Sequence, residues 1–339
     1  MRKTSLLIIA SLITAGLTAC GDKESEVGAN TAENNQDNLE SEDQINDSNL
    51  EREENGTSQY PLTISHELGE ITLEKKPENV VVFDFGVVDI LRDIEVDVQA
   101  VPQANVPSYL SEFKSEDYEN AGTLFEPDFE AIYGMEPDLI IISGRAADAY
   151  DDLTEIAPTL HVAVDTGDYM TSFKENVQLI GEIFDKEDVT DAKLESIESD
   201  LDALHELTDN TTARGLILMT SEGELSAYGP GSRFGIIHDD FGVPAADEGI
   251  DEANHGMNVS FEYVLETNPE YIFVMDRGAV VSPGEGESAA ETLANDLVMN
   301  TTAYKEDQIV ELNPEYWYIS AGGLTSVSGM ILDIKAAFE

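Results

Sequence analysis

Apolar and polar residues fall in the same order at two places along the chain. Residues 130–145 read EAIYGMEPDLIIISGR, and residues 262–277 read EYVLETNPEYIFVMDR. In each, a Glu opens a short stretch with apolar residues at helical spacing, and a Pro seven residues later closes it. An unbroken apolar run follows, and an Arg stands fifteen residues after the Glu. Helical spacing cut off by Pro predicts a short helix, and a β-branched or aromatic run predicts a buried strand. The same reading predicts strands at 80–83, 139–142 and 160–164 with helices at 86–94, 128–135 and 147–156. Farther on it predicts strands at 215–219, 271–275 and 309–312 with helices at 232–240, 260–267 and 287–298.

Strands that alternate with helices imply parallel sheets covered by helices on both faces. The expected fold class is therefore α/β, with two Rossmann-like lobes joined by a long helix and a ligand cleft between the lobes. The first lobe spans 60–166, linking helices span 167–210, and the second lobe spans 211–339. Leu194, Ile197, Leu201 and Leu204 form one apolar stripe on the second linking helix. A helical link is stiff, so large hinge closure is not expected.

The start of the chain has a different pattern. Basic Arg2 and Lys3 precede an apolar run too short to cross a bilayer, as in a secretory leader over 1–19. The run LTACG places Cys20, the sole cysteine of the chain, where a bacterial lipoprotein signal would be cut and the thiol lipidated. Residues 20–59 are rich in Glu, Asp, Asn and Ser and poor in large apolar side chains, as in a disordered acidic tether. The chain is then expected on the outer face of the cytoplasmic membrane, held there by lipid alone. Its 17 Lys and Arg against 70 Asp and Glu give a formal charge of −53, which argues against nucleic acid as a partner.

That acidity makes the arginines conspicuous. In open α/β sheets ligands bind beyond the carboxyl ends of the strands. Arg145 and Arg277 each follow a predicted strand, so both are expected to face a shared cleft. Arg233, in SAYGPGSRFGIIHDDFG, is expected at the N-terminus of the helix at 232–240, a position that favours anions. Gly229, Gly231 and Gly235 are misspaced for a dinucleotide loop, and Ser232 is not in a nucleophile elbow. Phe85, Tyr228, Tyr316 and Trp317 are candidate aromatic walls. No closely spaced pair of histidines points to a zinc or manganese site.

Several segments together carry a family resemblance: VVVFDFGVVDIL, AGTLFEPDFEAI, PDLIIISGR, SAYGPGSRFGIIHDDFG, HGMNVSFEYV, FVMDRGA and PEYWYISAGGL. With the lipidation motif before them, the chain resembles the rigid-helix substrate-binding lipoproteins of ABC importers for ferric siderophores. The nearest likeness is to the branch that takes catecholate and petrobactin-type ligands. The resemblance implies that Arg145, Arg233 and Arg277 bind an anionic ferric chelate in the cleft. It implies that His255 and Tyr318 complete the iron shell when a siderophore fragment supplies too few oxygens. It also implies that Glu130 and Glu262 dock the two lobes onto a permease dimer, which works with its ATPase. The iron complex is the ligand and no cofactor is implied, nor is catalysis; the chain is expected to be a monomer.

Arginine suits such a ligand because its fork remains charged and matches paired oxygens. Iron(III) held by three catecholate dianions is trianionic, so three guanidiniums offset it almost one for one. Two other readings stay open at the level of sequence: a binding protein for haem or a cobalamin, and an extracellular siderophore esterase. The second lacks a nucleophile with a base at recognisable spacing.

Overall fold

Short parallel strands, each buried on both sides, organise the first lobe. The computed structural model describes residues 59–250, 255–284 and 286–339. The expected leader, Cys20 and all but the last residue of the 20–59 tether lie outside the described residues. An antiparallel hairpin, β1 (Leu62–His66) and β2 (Gly69–Leu73), comes first. Next are β3 (Val80–Val82), β4 (Ala100–Val101), β5 (Glu119–Asn120), β6 (Leu139–Ile142) and β7 (Thr159–His161). They form a parallel sheet in the order β5-β4-β3-β6-β7, so the direction of winding switches between β3 and β6.

The second sheet repeats that order with β8 (Gly215–Ser221), β9 (Glu224–Tyr228), β10 (Met257–Val259), β11 (Tyr271–Asp276) and β12 (Ile309–Leu312). Its order is β10-β9-β8-β11-β12. Here β8, β11 and β12 are parallel, but β9 runs antiparallel to β8, and β10 antiparallel to β9. Alternating strands and helices imply a parallel sheet throughout; the exception arises because Glu222 and Gly223 take positive φ and close a tight hairpin, leaving no room for a crossover helix.

The repeated sequence pattern is a repeated helix-to-strand unit. Asp128 caps the helix Phe129–Met135 and Ser260 caps the helix Phe261–Thr267, each through its side-chain oxygen. Glu136 and Asn268 close these helices in the left-handed conformation, with Pro137 and Pro269 following. The expected helix at 147–156 is a 3₁₀ turn, Ala147–Ala149, followed by Tyr150–Thr154. That at 287–298 shrinks to Ala289–Leu293 with a separate turn at Val298–Asn300.

Side chains alternate across each sheet and enter different cores. Val80, Val82, Leu139 and Ile141 join Ile217, Phe273 and Met275 of the second sheet in one continuous apolar cluster. The opposite faces feed separate clusters, around Val81 and Ile140 in one lobe and around Leu216 and Val274 in the other. The linking helices Tyr169–Ile183 and Glu187–Thr208 pack on each other, and Leu194, Ile197 and Leu204 of the stripe are buried in the shared core. The 22-residue second helix is about 33 Å long. The last helix, Leu324–Phe338, crosses back to pack on both Glu187–Thr208 and the helix Phe85–Asp93. The lobes thus share a core as well as a link, which opposes wide opening.

One buried carboxylate ties that crossing helix down. Asp89 is fully buried, accepts from the Ser326 backbone N–H at 3.0 Å and pairs with Arg92 at 2.8 Å. Burial pushes its carboxyl up to about 6, against the lowering effects of the Ser326 bond and Arg92. The folded chain therefore keeps a proton that the unfolded chain releases between about pH 4 and 6. Stability assignable to Asp89 falls as pH rises through that window, by on the order of 3 kcal/mol in all. Thermal unfolding of the wild type and of Asp89→Asn should show the variant gaining on the wild type from pH 4 to 6; parallel profiles would contradict this.

Candidate functional site

The carboxyl ends of β3 and β6, where the winding of the first sheet switches, open into a cleft of about 530 Å³. Asp84 stands two residues beyond β3; it caps the next helix through Val87 N and accepts from Ser143 Oγ at 2.6 Å. Ser143 follows β6, and Arg145 stands two residues on. All three line the cleft with Asp148, Thr166, Asn176, Arg233, His255, Trp317 and Tyr318. In the second lobe Arg277 occupies the matching place after β11, and its Nη1 donates to Ser221 Oγ at the end of β8, 3.2 Å away.

Tyr318 gathers the arginines. It lies in a single π-helical turn, Glu315–Ile319, beyond β12; such wide turns recur at functional positions. Its carbonyl accepts from Arg145 Nη2 at 2.5 Å and from Arg233 Nη2 at 3.2 Å, and its hydroxyl accepts from Arg277 Nε at 3.0 Å. The Arg233 guanidinium also lies 4.2 Å from the centre of the Tyr318 ring, with Arg145 and Arg277 at 5.7 and 5.8 Å. Segments from both sheets thus bring three like charges to one side chain.

None of the three has a carboxylate partner among the described residues. The remaining described arginines do: Arg92 pairs with Asp89 and Asp93, and Arg214 with Glu270. In a chain with 70 acidic residues, unpaired guanidiniums require an arrangement that keeps carboxylates away. Burial holds Arg233 below the usual arginine range, and the neighbouring charge of Arg145 lowers it further. An anion entering the cleft would relieve both costs.

The same charges act on the Tyr318 phenol. Burial alone would raise its pKa, but the Arg277 hydrogen bond and the fields of Arg233, Arg277 and Arg145 outweigh burial and bring it below the usual value. Buried Tyr228, in contrast, is pushed up to about 12. As pH rises in the ligand-free chain, Tyr318 should form phenolate earlier than its buried neighbours. An ultraviolet titration should show an early tyrosinate step that disappears in Tyr318→Phe and moves to higher pH in Arg277→Ala. Superimposable curves for the three proteins would contradict it.

Several expected site residues lie elsewhere. Phe85 is fully buried in the main core, because it opens a helix whose start is capped by Asp84 and turned inward. Tyr228 is 1% exposed and packs edge-on against Phe234, beneath Gly256, where a Cβ would come within 2.7 Å of the ring. Neither lines the cleft. Arg277 is not on its wall either, but stands behind the Tyr318 hydroxyl. Trp317 does line the cleft, though nearly buried, with its indole N–H donating to Asp333 at 2.9 Å. His255 is exposed on the cleft wall. Tyr316 packs edge-on against Tyr109.

Arg233 is placed by a loop, not by a helix N-terminus. The helix starts only at Ile236 and spans Ile236–Asp239. Asp239 Oδ2 accepts from Gly231 N at 2.6 Å and pins the loop back onto that short helix. A Cβ on Gly235 would sit 2.8 Å from Gly231 N and 2.9 Å from Ser232 N, so only glycine permits this closure. Glu130 and Glu262 stay exposed in the first turns of their matched helices, and hydrogen bonds with its own backbone N–H and with Ser260 hold the Glu262 carboxyl below the usual range.

Sequence reading did not single out Asp84, Ser143, Asp148, Asn176 or Phe125. Two of them could have been found from their position alone, since Asp84 and Ser143 stand just beyond the strands that flank the switch in winding.

Known proteins resemble the chain in sequence and in overall fold. A family described as "Periplasmic binding protein" matches residues 80–316. Petrobactin-binding protein YclQ of Bacillus subtilis is 38% identical over 343 residues, covering 100% of both chains. Ferric-anguibactin-binding protein FatB of Vibrio anguillarum is 31% identical over 284 residues, 82% of this chain and 88% of that protein. The crystal structure of YclQ superposes with a TM-score of 0.79 at 42% identity, covering 82% of this chain and 98% of that one. The periplasmic catecholate-siderophore binding protein VctP of Vibrio cholerae superposes with a TM-score of 0.77 at 37% identity, covering 81% and 99%.

Proposed function

The chain belongs to the periplasmic binding protein family, and from that premise we propose that it captures an anionic ferric siderophore of catecholate or petrobactin type outside the cytoplasm and delivers it to an ABC permease. It is a binding protein, not an enzyme, as are the relatives it matches. The observation that carries the ligand class is the trio of arginines without carboxylate partners, converging on Tyr318 beside the cleft.

Arg145 and Arg233 line the cleft and meet catecholate oxygens directly; Arg277 adds its field through the Tyr318 hydroxyl. Tyr318, already polarised toward phenolate, and His255 on the same wall supply a hard oxygen and an imidazole nitrogen to iron when the siderophore leaves coordination positions open. Trp317 forms the back of the site. A haem or a cobalamin presents less negative charge to such a cluster and is the poorer fit.

Cys20, in LTAC, carries the lipid that keeps the chain at the outer face of the membrane, through the tether of residues 20–59. Glu130 and Glu262, exposed at matching places in two similar helices, dock the monomer onto the permease dimer, which draws on its ATPase.

Trp317 is the sole tryptophan and touches the site, so its fluorescence reports occupancy. Ferric petrobactin and a ferric bis-catecholate should quench it saturably at lower concentration than a ferric hydroxamate or haem. Tightest binding to haem would overturn the ligand class.

A further inference from the structure

The two matched docking helices are alike in sequence but not in what they expose. In the helix Phe129–Met135, Ile132 and Met135 face the core while Phe129 and Tyr133 are 38% and 71% exposed. Four residues apart, they share one side of the helix, and Glu130 lies three residues from Tyr133 on the adjoining strip. Phe125, 68% exposed, stands in the turn just before and also lines the ligand cleft. The other exposed large hydrophobics among the described residues, Val189, Val281, Tyr304 and Leu332, are scattered over different elements. Exposed aromatic residues grouped in this way, unlike ones scattered singly, mark an interaction surface.

The second helix hides its equivalents. Phe261 and Leu265, which match Phe129 and Tyr133, are half-buried, and Phe261 packs on the outer core. Tyr263 donates its hydroxyl to Asp247 at 2.8 Å. Glu262 is therefore exposed without an aromatic surround.

Charge defines what would cover the first face. Glu126, Glu130 and Glu136 are all exposed there, and no Lys or Arg occurs between Lys114 and Arg145. A partner must present both apolar area and positive charge. A guanidinium meets both demands, since it pairs with a carboxylate and stacks on an aromatic ring.

We propose that Phe129, Glu130 and Tyr133, with Phe125 at the cleft rim, form an aromatic docking face for an arginine set in apolar surroundings on the outer surface of the permease. This rests on the docking role given above to Glu130 and Glu262. The second lobe docks through its carboxylate without such a face, so the chain seats in one of the two orientations that its pseudo-symmetry would otherwise permit. Phe125 places one edge of the face against the bound ligand.

The test uses Phe129→Ser with Tyr133→Ser in the full-length chain, expressed in a host strain that lacks its own copy. Uptake of radioactive iron supplied as ferric petrobactin should fall at least tenfold, while Trp317 quenching shows ligand affinity within twofold of wild type. The exchanged pair Phe129→Tyr with Tyr133→Phe keeps both rings and should restore uptake. Wild-type uptake by the serine variant, or no rescue by the exchanged pair, would overturn the docking face and leave ligand capture standing. Absence of any siderophore binding by the wild-type chain would overturn the functional reading and this face with it.

Discussion

Replacing Arg233 by Ala is expected to weaken ferric catecholate binding by about 2–5 kcal/mol, a roughly thirty- to five-thousand-fold loss of affinity. The side chain lines the cleft, stacks over Tyr318 at 4.2 Å and has no carboxylate partner among the described residues. Its charge is already held below the usual arginine range by burial and by Arg145. An incoming anion therefore meets a poorly solvated cation, and the variant leaves that anion unpaired. Arg145→Ala should behave alike, because Arg145 shares the cleft wall. Arg277→Ala should cost less, since Arg277 acts through the Tyr318 hydroxyl. Arg214→Ala provides the control: that guanidinium pairs with Glu270 at 3.2 Å and does not line the cleft, so affinity should not change.

Reversing charge at both Glu130 and Glu262 to Lys should abolish iron uptake while ligand affinity stays within twofold of wild type. Both carboxylates are exposed at helix starts, away from the cleft walls. As exposed helix-terminal charges they add little to the stability of their helices, so the change should not unfold the chain. Binding and delivery should thus separate cleanly. Uptake that survives the double reversal would remove these residues from docking, whatever the purified protein binds.

The architecture was legible because its signals are local. Asp128 and Ser260 as caps, Pro137 and Pro269 after left-handed closures, and the runs at β6 and β11 each state their own conformation. The antiparallel course of β9 was not legible, since it depends on how Glu222 and Gly223 turn the chain and not on the strand residues themselves. At the site, scarcity pointed to Arg145, Arg233 and Arg277 in a chain of charge −53. What scarcity could not supply was direction. Whether Arg277 lines the cleft or stands behind Tyr318 depends on a hydrogen bond between residues 41 apart. Phe85 and Tyr228 show the same limit for aromatic residues: composition marks them as candidates, but packing sends both inward.

Arg233 makes the point in another way. The Gly-Pro-Gly-Ser stretch reads as a turn into a helix, yet the chain completes only a four-residue helix at Ile236–Asp239. Asp239, the last residue of that short helix, is the residue that fastens this loop through Gly231 N. The guanidinium is positioned by that closure and by Tyr318, two contacts that no periodicity reveals.

Calorimetric titration of the purified chain with ferric petrobactin, beside a variant with Arg145, Arg233 and Arg277 all changed to Ala, tests the shared anion site most directly. The wild type should give saturable heat at one ligand per chain, and the variant, with its fold verified by thermal unfolding, should give none at the same concentrations. Equal heats from the two proteins, or none from the wild type, would contradict a cleft built around three arginines.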